Sequence, residues 1–154
     1  MQHSAMASLE LQDVTHQLVQ QFSAELEDML DDLISGTLSE LQRNVLTKIV
    51  AFFDQEMKEH HLEEDRHIFP ILLARGDAQL VEKVQALKAE HEELRQGWQE
   101  LRSWLEREGS HQMDGVALRA SFQRYSDCFA GHLALEESLQ FSSETKSLFQ
   151  RWDS

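Results

Sequence analysis

The sequence predicts an all-α protein, an antiparallel up-down-up-down four-helix bundle with a short C-terminal tail helix. Three observations carry that expectation. The 154 residues hold one proline and six glycines, so helix-breaking punctuation is scarce. The breaks fall at Ser35-Gly36-Thr37, at Arg75-Gly76-Asp77 and between Gly109 and Gly115, leaving four long segments; Gly97 and Gly131 lie inside otherwise helical patterns. Within each segment apolar residues recur at steps of three and four, the period of a helix face buried in a bundle.

The first helix has its stripe at Leu11, Leu18, Val19, Phe22, Leu26, Met29 and Leu33, with His16 about 120° from Phe22, at the margin of that stripe. Thr37 or Ser39 is the expected N-cap of the second helix, Glu40 completing a capping box with Thr37. Its inner face reads Leu38, Leu41, Val45, Ile49, Phe52, Phe53, His60, Glu64 and Ile68, and Pro70 is expected to kink or end it. Asp77 can cap the third helix, whose seam is Leu80, Val84, Leu87, His91, Leu94, Trp98, Leu101 and Leu105. The fourth repeats the pattern with Leu118, Phe122, Tyr125, Phe129, His132, Glu136 and Leu139. Leu148, Phe149 and Trp152 in the polar tail suit a short helix docked on the bundle. We therefore expect a single domain over 1–154, with the bundle at about 9–141 and the tail at 142–154.

Composition narrows the function. A chain of this length buries roughly 70% of its unfolded surface and needs no disulfide staple. The lone cysteine, Cys128, allows no internal disulfide and no Cys-rich metal site, which fits a reducing compartment, and a cytoplasmic location is expected. Met1 to Leu9 lack the pattern of a signal peptide, and no window approaches the ~20 apolar residues that span a bilayer. The net charge of −14, with 14 scattered basic residues, disfavours nucleic acid and anionic membranes as partners.

Eight histidines is a high count for this length, and two of them begin matching pairs: His60 and Glu64, His132 and Glu136, each four residues apart on one helix face. Counting from the turns, His16 lies 20 residues before Gly36 and His60 lies 24 after it. Gly76 lies 16 residues after His60 and 15 before His91, and the Gly109–Gly115 loop is about 20 from both His91 and His132. In an up-down bundle these counts put all four histidines at one level. The spacings His16 to His60, 44 residues, and His91 to His132, 41, read as one helical hairpin used twice. Any one of these histidines can be a core residue hydrogen-bonded to backbone or water. Four imidazoles and two carboxylates at one height instead suit one or two ions of iron, manganese or zinc, because buried carboxylates demand a cation.

The blocks His60-His61-Leu62-Glu63-Glu64-Asp65-Arg66-His67-Ile68-Phe69-Pro70, Glu90-His91-Glu92-Glu93-Leu94 and His132 to Glu137 resemble the hemerythrin-like proteins with the HHE cation-binding domain, His16 standing as that family's helix-one histidine. The resemblance covers nearly the whole chain. It implies a four-helix bundle around a non-heme di-iron centre, with His16, His60, His91 and His132 as terminal ligands and Glu64 and Glu136 as bridges. Oxygen-carrying members have a further histidine four residues after the helix-three one, where this chain has Arg95; His61 and His67 are candidate replacements. The family often has Leu-Pro after the fourth helix's Glu-Glu, where this chain has Leu139-Gln140-Phe141-Ser142, a change expected to alter the helix exit rather than the ligands.

A ferritin-like site needs two Glu-x-x-His motifs, and only Glu64-Asp65-Arg66-His67 fits; His91-Glu92-Glu93-Leu94-Arg95 is not a zincin motif. Cys128, one turn before His132, reads first as a packing thiol. The resemblance implies a protein that holds two iron ions, with zinc or manganese as substitutes, and binds or senses a diatomic ligand, dioxygen or nitric oxide, as a monomer or homodimer. Enzymes acting on peroxide or nitric oxide, a supplier of iron for cluster repair, and an iron-sensing regulatory module are the alternatives.

Overall fold

The structure, a computed structural model, describes residues 4–75, 77–140 and 142–154. Gly76 of the second break and Phe141 lie outside the described residues. Among those described there is no strand. Helix α1 is Ala5–Ser35; α2 runs over 40–73; α3 is Ala78–Leu105; α4 is Gly115–Gln140; and α5, the tail helix, is Ser143–Trp152.

Each helix starts where a short polar side chain accepts from its first turn. Ser4 accepts from the Ala7 amide, and the Asp153 carboxylate of the tail reaches back to the Ala5 and Met6 amides at 2.8 and 3.1 Å. For α2 the cap is Ser39, and the box is completed by Gln42 rather than Glu40. The Thr37 hydroxyl instead bonds the Asp32 side chain. Asp77 caps α3 through the Gln79 and Leu80 amides, and Ser142 caps α5. At the end of α1, Gly36 takes φ of 69° and returns its N–H to the Asp32 and Leu33 carbonyls, a left-handed turn that favours glycine.

Helix α2 is not a regular α-helix. Glu40–Ala51 passes into a wide π turn at Phe52–Glu56, resumes at Met57–Glu63, widens again at Glu64–Ile68 and finishes at Phe69–Leu73. The second π turn accommodates Pro70. The Phe69 amide bonds the Glu64 carbonyl five residues back, so Pro70 falls in the first turn of a new stretch, where its missing N–H is tolerated. The helix therefore runs through the proline and ends three residues beyond it, at Leu73.

Helices α3 and α4 pack along their lengths, α1 packs against both α4 and α2, and α5 closes one end against α1. All eight seam residues expected on α3 are buried, as are the seven on α4, which also buries Ser121, Leu133 and Gln140. Leu11 and Leu41 are the exceptions to the expected stripes, 46% and 73% exposed. Each lies eight residues from a buried seam residue, Val19 or Ile49, and is thus rotated by about 80° away from it. In the tail, Phe149 is fully buried while Trp152 stays exposed.

The apolar core comes in two separate parts. One, at the end of the bundle near the α1–α2 turn, includes Val19, Leu26, Ile49, Met57, Leu94, Leu101, Phe129 and Leu133. The other, near the tail helix, includes Leu9, Ile68, Phe69, Leu72, Leu87, Leu139 and Phe149. On every helix a site residue lies between them: His16 between Leu9 and Val19, His60 and Glu64 between Met57 and Ile68, His91 between Leu87 and Leu94, Glu136 between Leu133 and Leu139.

The two candidate caps of α2 can be told apart by urea unfolding. Ser39→Ala should cost about 1 kcal/mol, whereas Thr37→Ala should stay within about 0.5 kcal/mol of the parent protein.

Candidate metal centre

The side chains between the two apolar parts form two facing groups. His16, His60 and Glu136 make one; His61, Glu64, His91 and His132 make the other, and within each group the ligand atoms lie within 4.8 Å of one another. Each helix of the bundle contributes. Helix α2 supplies three residues, because the adjacent His60 and His61, ~100° apart, are directed to different groups. The rings pair as the hairpin repeat suggests: His16 and His60 are 5.1 Å apart between centroids, His91 and His132 5.0 Å.

The two carboxylates join the groups. Glu136 Oε2 lies 2.8 Å from His16 Nε2 and 3.9 Å from His60 Nε2, while Oε1 lies 2.7 Å from His132 Nε2 and 3.8 Å from His91 Nε2. One oxygen thus faces each group. Glu64 Oε1 stands between His60 Nε2 at 3.1 Å and His91 Nε2 at 3.5 Å. Its other oxygen accepts from Gln140 Nε2 at 2.8 Å. Glu64, Glu136 and Gln140 are fully buried.

His61 and His67, the two candidates for the helix-three vacancy, part company. His61 is stacked on His91 with centroids 3.9 Å apart and joins the second group. His67 remains outside, half exposed, 3.8 Å from the Glu63 carboxylate. The π turn explains this: it delays the helix by about one residue, so the next buried residue after Glu64 is Ile68 and His67 faces outward. Arg95 is exposed and paired with Glu92. Cys128 is half-buried against the first apolar part, and burial together with Glu93 and Glu90 pushes its thiol pKa up, as befits a packing thiol.

Two side chains outside the expected set hold the others in place. Glu90 accepts from His132 Nδ1 at 2.7 Å, which fixes the ring and leaves Nε2 facing Glu136. Gln140 restrains Glu64. The signal for Gln140 is its four-residue step from Glu136; Glu90 gives only its adjacency to His91.

The donor set fits a divalent transition metal. Both nitrogens of His60 and His91, His132 Nε2, Glu64 Oε1 and both Glu136 oxygens are buried without a hydrogen-bond partner among the described residues. Such atoms are costly to bury unless a cation lies among them. Atoms each ~2.1 Å from one ion, at about right angles, lie ~3 Å apart, and the nitrogen–oxygen separations here run from 2.7 to 3.9 Å. Imidazole nitrogen and carboxylate oxygen suit iron, manganese or zinc.

Protons can do part of the same work. Burial disfavours charging His60, but Glu64 and Glu136 outweigh it and raise its pKa from 6.5 to about 9. His91 behaves likewise: burial is overcome by Glu136 and Glu64, and its pKa reaches about 9. For His132, burial is overcome by Glu136 and Glu90, and the pKa is raised. Burial acts the other way at His61, where nearby His91 and His60 add repulsion and the pKa falls to about 2, leaving a neutral ring. Burial would raise the Glu136 pKa, but its contacts with Glu64, His132, His16 and His60 hold it well below the usual range.

A groove of about 750 Å³ opens between α2 and α3 and reaches this layer. His61 and His91 lie along it together with Phe53, Met57, Leu94 and Trp98.

The family model described as Hemerythrin, Hemerythrin HHE cation binding domain, matches residues 7–142. Comparison with curated proteins and with solved structures finds no match.

The metal-free protein should show a stability maximum near pH 6.5, read from melting temperatures between pH 4 and 10. His60 and His91, with raised pKa values, lend stability that is complete below about 6.5 and lost as pH rises through about 9, and His132, also raised, acts in the same direction. His61 and Glu136, with lowered values, take stability away as pH falls below about 6.5 and then into the carboxylate range. Zinc or iron binding should release protons and tighten from pH 6 to 9, measurable by calorimetry in buffers of different ionisation enthalpy.

Proposed function

The chain belongs to the hemerythrin HHE cation-binding domain family, and we propose that its two groups of ligands hold a pair of iron ions at which a diatomic ligand, dioxygen or nitric oxide, binds. The observation that carries this reading is the position of Glu136. With Oε2 beside His16 and Oε1 beside His132, one buried carboxylate faces both groups, an arrangement suited to two cations sharing an anion. A single ion would use one group and leave a buried carboxylate oxygen of the other facing no cation.

In this reading His16 and His60 serve one ion, and His61, His91 and His132 the other, each through a neutral imidazole. His61 takes the role that the family resemblance leaves vacant at Arg95. Glu64 and Glu136 neutralise part of the added charge. Glu90 holds the His132 proton at Nδ1, so that the free lone pair is on Nε2. The apolar parts above and below keep bulk water from the layer. The groove between α2 and α3 gives a ligand its approach to the His61 and His91 side. A ferrous pair, when bound, supplies the electrons that dioxygen or nitric oxide draws on.

A second reading, an enzyme that reduces peroxide or nitric oxide, is favoured by that same groove, which is far larger than a diatomic ligand requires. Sustained consumption of either substrate under a reductant supports it, and binding without turnover rejects it.

Protein produced with iron should carry about two irons per chain, with the visible and near-ultraviolet bands of an oxo-bridged pair after exposure to air. Content well under one iron per chain, with none restored on reconstitution, contradicts the proposal. His61→Ala should lose about half the iron, while Arg95→Ala should keep it.

A further inference from the structure

Gln140 is the last residue of α4 and stands where the sequence departs from the Leu-Pro of the resembling proteins. By sequence alone the departure changes only the helix exit. The structure gives it a chemical consequence. The side chain turns into the bundle, is fully buried, and donates through Nε2 to Glu64 Oε2 at 2.8 Å. Proline has no side-chain donor and could not make that bond.

The residue is poorly explained by stability. Its Oε1 is buried with no hydrogen-bond partner among the described residues, and its neighbour Leu139 belongs to an apolar cluster. A buried amide with one arm unsatisfied costs free energy that leucine or methionine would not. Nor does it balance charge, because an amide donor is neutral and leaves the Glu64 carboxylate in need of a cation. What the hydrogen bond does is settle which oxygen is available. Glu64 Oε2 is engaged, and Oε1 is aimed between His60 Nε2 and His91 Nε2, one histidine from each group. Among the described residues no amide or hydroxyl donor holds Glu136, whose oxygens are divided between the groups. The position of Gln140 is itself held from the tail, where the Ser142 and Thr145 hydroxyls both bond the Leu139 carbonyl.

We propose that Gln140 is a positioning residue that makes the two carboxylates unequal: it reserves Glu64 Oε2, so that Glu64 serves both cations through Oε1 alone while Glu136 gives one oxygen to each. This rests on the two-ion reading above. An acceptor whose second oxygen is hydrogen-bonded is also a weaker electron donor, so Gln140 tunes the shared ligand as well as orienting it.

The test compares the iron-loaded full chain with Gln140→Met and Gln140→Leu, each lacking the donor. Metal content and the loaded-minus-stripped infrared difference spectrum are the readouts. The separation between asymmetric and symmetric carboxylate stretches distinguishes binding through one oxygen from bridging through two. The parent protein should show two distinct separations. In both variants, at two irons per chain, the one-oxygen pair of bands should be lost and only the two-oxygen separation should remain. Identical spectra at equal iron content overturn the proposal and leave the two-ion reading intact. Failure of both variants to hold two irons, with the fold retained by circular dichroism, also overturns it, because Gln140 would then be needed for binding itself. A parent protein that never holds two irons overturns the two-ion reading, and this proposal with it.

Discussion

Two carboxylates, Glu64 and Glu136, sit at the centre of a helical bundle with no exposure to solvent. An isolated buried carboxylate is costly enough that a protein either protonates it or surrounds it with cations. Much of the architecture is a response to these two groups. Five imidazoles, drawn from all four bundle helices, gather around them. Without metal, the histidines recruit protons, and His60 and His91 stay charged up to about 9. Those protons occupy atoms that a metal ion would use, so metal binding has to displace them.

The layer also divides the protein. The apolar core is interrupted at one height on every helix, and each half is packed by its own side chains. Leu133 and His132 lie side by side on α4, yet Leu133 belongs to the apolar half and His132 to the polar layer. A helix that slid by one turn would put leucine among carboxylates and histidine among leucines, so the polar layer pins the vertical register of the bundle. Helix α2 meets the strictest demand, since it feeds both groups. Its π turns, on either side of Met57–Glu63, set the phase of that stretch independently of the flanking helix.

How much of this was legible in the sequence depended on whether helical phase was constant. On α3 an unbroken three-four pattern from Leu80 to Leu105 named the whole buried face, and His91 came with it. The level of His16, His60, His91 and His132 could be counted because their distances to the turns are set by a fixed rise per residue. Phase failed where the rise or the twist changed. His67 counts onto the Glu64 face in an ideal helix, and the π turn at Glu64–Ile68 turns it out. His61, ~100° from a correctly placed residue, needed knowledge of where α3 stands. Glu90 was not legible as a site residue, and Gln140 only through its four-residue step from Glu136, because their roles lie in hydrogen bonds between helices.

The central claim is that the layer holds two cations with Glu136 between them. It is tested most directly by crystals of the iron-loaded protein and an anomalous difference map at the iron edge. The account predicts two peaks about 3.5–4 Å apart, one beside His16 and His60 and the other beside His61, His91 and His132, with Glu136 joining them. A single peak, or peaks outside this layer, would contradict it.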